Sequence, residues 1–293
     1  MSTGNPKTLF DALIDEALKS RAELALLRPV VEKELLHHDI LREMSGAGLL
    51  SGLTFIGGTC LRACYGSSRL SEDLDFTGGK DFKRSDLTQL AKVLKETLGT
   101  RYGLKVAVSD PVREEGKVST WKMRVETRPG RKDFPAQRIH LDICAIPSHD
   151  PRPMMLRTLY GVDMGTSGLI LQAQSREEIL ADKVIALAFR EGRIKNRDLW
   201  DIGWLRQQGV ELPAQLIPIK IHDHGRTEEE FRSLLQGRVG ELKKSEALRK
   251  DFMNEMRRFL PAAVISQTVE QEPYWRYLTQ VIGEEVEKAI AGI

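Results

Sequence analysis

Long apolar runs are missing from this chain of 293 residues. No stretch approaches the roughly 20 consecutive apolar residues that a membrane-spanning helix needs. The opening MSTGNPKTLFDALIDEALKS also lacks the apolar centre of a secretory leader. A cytoplasmic location with no membrane partner is therefore expected. Cysteine is scarce as well, at Cys60, Cys64 and Cys144 only. Cys60 and Cys64 fall four apart on a predicted helix and Cys144 ends an apolar strand, so free buried thiols are expected rather than a disulfide framework. No histidine or cysteine completes a zinc set at ligand spacing, and the pairs His37–His38 and His222–His224 read as solvent-facing. The net charge is only +2. Bulk charge thus does not mark a polyanion binder, and any nucleic-acid contact must come from a local patch. Internal repeats and low-complexity tracts are absent.

What is present describes a globular chain of one or two domains, 41% hydrophobic and 29% charged. Its centre is Leu53 to Phe76, LTFIGGTCLRACYGSSRLSEDLDF. Leu53 to Ile56 can form a buried strand, and Gly57-Gly58-Thr59 a turn without bulk at two positions. A helix follows with Leu61, Cys64 and Tyr65 on one face, ended by Gly66-Ser67-Ser68. In Ser71-Glu72-Asp73-Leu74-Asp75-Phe76, alternation puts Asp73 and Asp75 on one face of a strand and Leu74 and Phe76 on the other. Two carboxylates on one edge repel unless a cation lies between them, and hard oxygen ligands suit magnesium, which is commonly shared with substrate phosphates. Gly57 and Gly58 let a backbone come close to a phosphate, Thr59 adds a hydroxyl donor, and the start of the following helix attracts anions.

This order of strand, GGT turn, helix and DxD, written hGGTxLxxxYGxxRxSxDLDF, resembles the DNA polymerase β-like nucleotidyltransferases. Within them it resembles the AbiEii/AbiGii toxin branch of type IV toxin–antitoxin systems, over about Leu53 to Leu205. The resemblance implies that the glycine turn binds a triphosphate and that the DxD pair, with a third acidic residue on a neighbouring strand, holds magnesium, or manganese in its place. It also implies an RNA acceptor, particularly a tRNA 3′ end, and a cognate antitoxin.

In chain order, residues 1–50 read as a helical pad. Phe10, Leu13, Ile14, Ala17 and Leu18 recur at helical spacing, and a second run from Arg21 to Met44 is kinked or split at Pro29. Residues 51–174 read as the nucleotidyltransferase core. A helix opens at Ser85 and runs to about Leu98, and strands are expected over Leu104–Ser109, Val118–Thr127 and Arg138–Cys144. The last two are antiparallel across Arg128-Pro129-Gly130-Arg131. Asp142 lies in the third of these strands between Leu141 and Ile143, where an unpaired carboxylate is costly. Either a metal shared with Asp73 and Asp75 compensates it, or an ion pair to Lys122 or Arg124 does. Lys117 to Arg138 holds seven basic and two acidic residues; it reads as a phosphate-binding patch or as the solvated face of a hairpin. Residues 147–174 read as a connector, with one short strand at Leu169–Leu171.

Residues 175–293 read as a helical C-terminal domain, giving an α+β, mixed α/β chain overall. Ser175-Arg176-Glu177-Glu178 is a capping box for a helix to about Phe189. A basic turn, Arg190 to Lys195, follows, and Asn196 is expected to cap a second helix carrying Asp198 and Asp201. The run EILADKVIALAFREGRIKNRDLWDIGWL is similar to the family's third motif, a Lys, a basic loop and an RDxxD helix. Lys183 can neutralise a triphosphate while Asp198 and Asp201 orient it. The expected catalytic set is thus Asp73, Asp75, Asp142, Lys183 and Asp201, with Asp73, Asp75 and Asp142 as metal ligands. The expected nucleotide-binding set is Gly57, Gly58, Thr59, Arg69, Lys183 and Asp198. Arg69 either touches phosphate or pairs with Glu72 or Asp73. Beyond Gln208 the aromatic group Tyr274-Trp275-Arg276-Tyr277 either packs on the domain or stacks on an RNA base. Two other activities compete with RNA modification: nucleotidyl transfer to a protein or small molecule, and non-catalytic binding of GTP or another nucleotide.

Overall fold

The computed structural model describes residues 8–111, 117–128, 130 and 135–293. Helix α1 (Leu9–Ser20) is capped by Thr8, whose hydroxyl oxygen accepts the Asp11 N–H, and it buries Phe10, Ile14 and Ala17. After a 3-10 turn (Ala22–Leu27), α2 (Arg28–Gly46) starts with Pro29 in its first turn. Pro29 therefore opens a helix rather than kinking one, since its missing N–H is not needed there. The face of α2 is more polar inside than expected. His37 and His38 are buried, the first 3.0 Å from the Glu72 carbonyl and the second 3.0 Å from Thr166 Oγ1, so neither faces solvent.

The core is a seven-stranded mixed sheet in the order β3-β4-β5-β2-β1-β7-β6. Strand β1 (Thr54–Ile56) runs into α3 (Gly57–Ala63), whose first residue is the first glycine of the pair. Strand β2 (Leu74–Thr77) returns antiparallel to β1. The helix expected from Ser85 is instead a 3-10 turn (Arg84–Leu87) followed by α4 (Leu90–Tyr102). Strands β3 (Lys105–Ser109), β4 (Val118–Glu126) and β5 (Gln137–Cys144) form the antiparallel set read from their alternation. Of the basic hairpin's tip, Pro129, Arg131, Lys132, Asp133 and Phe134 lie outside the described residues.

Residues 147–174 are not a bare connector. Strands β6 (Pro151–Met155) and β7 (Ile170–Gln174) pair with each other, and β7 adds to β1 in parallel. The sequence hides β6 because Pro151 and Pro153 cannot donate to a ladder, a defect an edge strand tolerates. Helices α5 (Arg176–Phe189), α6 (Asn196–Gln207), α7 (Leu216–Asp223), α8 (Glu228–Lys244) and α9 (Glu246–Met256) follow. Short α10 (Ala262–Val264) continues into a π turn, and α11 (Glu272–Ala291) closes the fold. Tyr274 and Trp275 on α11 pack on Trp200 and Phe252, so the aromatic group is largely a packing surface.

The two faces of the sheet divide the labour. Leu74, Phe76, Trp121, Met123, Ile139, Leu141 and Ile143 are buried on one face, where α2 meets β5 and α4 meets β3. Asp75 and Asp142 stand on the other, part of which is roofed by α5. Among the described residues no helix is long and apolar enough to cross a membrane. The cysteines are free thiols, with Cys60 and Cys64 buried and Cys144 half-buried.

Candidate active site

A cavity of about 220 Å³ lies between the sheet and α5, and Gly57, Gly58, Asp73, Asp75, Asp142 and Lys183 all line it. Register explains the carboxylates. Strands β2 and β5 are parallel with Asp75 opposite Asp142, and Asp73 precedes Asp75 by two residues on the same face. Asp73 Oδ1 accepts the His140 backbone N–H at 3.0 Å, which ties it to β5. Asp142 makes no ion pair with Lys122 or Arg124; Arg124 pairs with Glu126 at 2.6 Å, and Asp142 Oδ1 is buried without a hydrogen-bond partner among the described residues. Burial raises the Asp75 carboxyl above its ordinary range, and the Asp142 and Asp73 charges add to this against the pull of Lys195 and Lys183.

The glycines are dictated by close approach. Gly57 has φ +75°, and a Cβ there would sit 3.0 Å from Asp75 Oδ2. At Gly58 a Cβ would lie 2.2 Å from Arg69 Nη2. Arg69 itself is buried and makes a bidentate pair with Asp201, both contacts 2.9 Å, rather than pairing with Glu72 or Asp73. Thr59 turns inward: its hydroxyl donates to the Asp73 carbonyl and lies 2.7 Å from Ser71 Oγ, so it fixes the strand instead of offering a free donor.

Lys183, at the centre of α5, bridges Asp198 at 2.6 Å and Asp201 at 2.8 Å on α6. Burial opposes its charge, but the two carboxylates outweigh burial and hold the ammonium above its usual range. Asp198 is shifted the other way, well below the carboxylate range, because Lys183, Lys195 and Arg190 outweigh its own burial. Asp201 is fully buried behind Lys183 and does not line the cavity, so it positions Lys183 and Arg69. Asn196 does not cap α6; its side chain donates to Asp251 and Glu255.

In sequence Lys195 belongs to a basic turn, Arg193 to Arg197, that accords with an RNA acceptor. In the fold it lines the cavity, half-buried, and among the described residues it has no ion-pair partner, whereas Lys183, Arg69, Arg190 and Arg197 each have one. Burial lowers its pKa, with Lys183 and Arg197 adding to that effect against Asp198 and Asp75. Gln174 and Asp182 were not singled out, and Gln174 Oε1 is buried without a partner. Only the pairing of β7 with β1 brings Gln174 beside Ile56, so no local signal could have found it.

The donor chemistry suits a divalent cation. Among the described residues no three His, Cys, Asp or Glu side chains stand at a spacing that closes a metal cage. Magnesium is ordinarily held by one or two carboxylates and completed by substrate phosphates and water, so an open carboxylate face with an unpartnered Asp142 oxygen is compatible with it.

A glycine turn meeting a DxD strand, a third carboxylate on the neighbouring parallel strand and a roof of paired cations define a nucleotidyltransferase. The chain belongs to the AbiEii family of nucleotidyl transferase toxins of type IV toxin–antitoxin systems, whose model matches residues 39–279. Its fold is similar to that of MenT4, a nucleotidyltransferase toxin from Mycobacterium tuberculosis H37Rv. The TM-score is 0.51 at 17% identity, over 98% of this chain and 99% of that one. A putative nucleotidyltransferase from H. pylori matches with TM-score 0.49 at 18% identity, over 88% of this chain and 96% of that one. JHP933 from Helicobacter pylori also matches with TM-score 0.49, at 19% identity over 88% and 94%. No curated protein matches the sequence. The family implies a nucleoside triphosphate substrate and an antitoxin partner.

Proposed function

We propose that this toxin moves a nucleoside monophosphate from a nucleoside triphosphate onto an RNA acceptor, with a tRNA 3′ end as the expected target, and so blocks charging and translation. The observation that carries the RNA reading is the continuity of one sheet face. Opposite Asp142, His140 and Arg138 on β5 stand Thr120, Lys122 and Arg124 on β4 in register. The basic residues among them are exposed, so a basic platform leads from the third carboxylate out to solvent. A cytoplasmic setting and a cognate antitoxin accord with that reading.

In this reading the acceptor hydroxyl attacks the α-phosphorus, the bond to the bridging oxygen of the β-phosphate breaks, and pyrophosphate leaves. Asp73, Asp75 and Asp142 would hold magnesium or manganese, which would supply Lewis-acid activation of the hydroxyl and offset charge on the leaving group. Asp142, matching the family's third carboxylate, would take the place nearest the attacking hydroxyl. Gly57 and Gly58 admit the phosphates close to the backbone, and Lys195 and Lys183 counter their charge. Asp198, Asp201, Arg69 and Thr59 hold those groups in place.

The test is incubation of the purified protein with total cellular RNA, magnesium and each of four α-labelled nucleoside triphosphates, beside the Asp73→Ala/Asp75→Ala variant. Label entering a tRNA-sized band only with the intact protein is the expected result. Label on protein, or none on RNA with the antitoxin removed, would overturn the RNA reading.

A further inference from the structure

A second cavity, of about 340 Å³, adjoins the carboxylate cavity. The two share Ile56, Gln174, Asp182, Ala186 and Arg190, so they are compartments of one cleft. Thr77 and Cys144 form part of its floor; they are register partners two residues beyond Asp75 and Asp142 along the same parallel strands. At a strand rise of about 3.3 Å per residue, this compartment starts about 7 Å from the carboxylates. It lies toward the opposite strand end from the glycine turn, because β1 is antiparallel to β2 and delivers Gly57 beside Asp75.

The chemistry of the two compartments differs. The first holds the glycine turn, the carboxylates of Asp73, Asp75 and Asp142, and Lys195, which has no ion-pair partner among the described residues. The second is walled by Ile146, Pro147, Ile185 and Phe189, and the Phe189 ring lies 5.9 Å from that of His224, which also lines it. Its one buried cation is already neutralised: Lys220 pairs with Glu178 at 2.7 Å and with Asp182 at 2.6 Å. Asp182 also accepts from Gln174 Nε2 at 2.7 Å. That bond fixes which way the Gln174 amide is turned and leaves Oε1, in a side chain 2% exposed, without a partner. A volume near the lower end of the range for small-molecule sites, with apolar and aromatic walls, describes an uncharged, flat ligand.

We propose that this compartment is the nucleoside subsite of the toxin, taking the sugar and base of the donor nucleoside triphosphate. The proposal rests on the nucleotidyl-transfer reading of the adjoining cavity. Transfer requires the α-phosphate at the carboxylates. The β- and γ-phosphates belong on the glycine and Lys195 side, because an apolar pocket without free cations would strip them of water uncompensated. The nucleoside is the part of the substrate left for the apolar side. The Phe189 and His224 rings then face its base.

Cys144 supplies a reporter, since it lines this compartment and is the only one of the three cysteines that is not fully buried. The experiment follows alkylation of Cys144 in the intact protein by uncharged N-ethylmaleimide, using peptide mass spectrometry. Magnesium with each nucleoside triphosphate is compared with magnesium with inorganic tripolyphosphate, each at about ten times its Kd from calorimetry. At least one nucleoside triphosphate should slow alkylation about tenfold, as 1 + [L]/Kd requires, while tripolyphosphate leaves the rate within about twofold. Equal protection by both ligands, or protection by neither although both bind, overturns the subsite and leaves the transfer reading standing. Protection by an RNA oligonucleotide without any nucleoside triphosphate assigns the compartment to the acceptor and also overturns it. Failure of every nucleoside triphosphate and of tripolyphosphate to bind removes the transfer reading itself.

Discussion

Substituting Gly58 by alanine isolates the contact on which the site's rear wall depends. A Cβ at this position would stand 2.2 Å from Arg69 Nη2 and 3.5 Å from Asp201 Oδ2. Such an approach forces the guanidinium to move. An exposed arginine would yield at little cost, but Arg69 is 3% exposed, bidentate to Asp201 at 2.9 Å, and donates to the Leu70 carbonyl at 3.0 Å. Overpacking costs about 1–3 kcal/mol, and breaking a buried pair about 3–5 kcal/mol. Asp201 keeps Lys183 at 2.8 Å, which moderates the second figure. The expected loss is about 2–4 kcal/mol, read as a lower urea midpoint at unchanged slope. A double-mutant cycle with Arg69→Ala checks the cause. If the clash with Arg69 carries the cost, Gly58→Ala becomes nearly silent once that side chain is gone, giving a coupling of about 2–4 kcal/mol. Costs that add to within about 0.5 kcal/mol would refute the reasoning, since the glycine would then be needed for something other than room for Arg69.

Two further outcomes concern stability. Burial pushes the pKa of His37 down to about 3 and that of His38 to about 4, from an ordinary 6.5, while burial pushes Asp39 up to about 6. The histidines' contribution is complete above pH 6.5 and is lost as pH falls toward their folded values, whereas the raised Asp39 pKa acts in the opposite sense below pH 6. Between pH 7 and 5 each histidine loses about 2 kcal/mol and Asp39 returns about 1.4, so urea titrations should show a net loss of about 2–3 kcal/mol. Equal stability at the two pH values would show that these histidines are not buried neutral. Lys220→Met should cost about 3–5 kcal/mol, because Glu178, which is fully buried, keeps its carboxylate without its cation. A variant that unfolds at the parent midpoint would contradict that pairing.

The sequence by itself determined the local parts of this protein. Alternation in LDF and in RIHLDIC set which side chains face which way, because a strand's period is two whatever surrounds it. Ser175 caps α5, as its Ser-x-x-Glu pattern dictates. Only tertiary structure decided what those parts meet. Sequence distance carries no register, so Asp75 opposite Asp142 and Gln174 beside Ile56 follow from strand pairing alone. The proline-broken strand β6 and the buried histidines of α2 escaped notice for the same reason: an edge position excuses a missing donor, and a partner such as Thr166 excuses a buried polar ring. The partnering of the charges was likewise decided in space. Arg69 is absorbed by Asp201 and the Thr59 hydroxyl by Asp73, while Lys195 is left facing the cavity, because which cation stays unpaired depends on distances of a few ångströms between segments far apart in the chain.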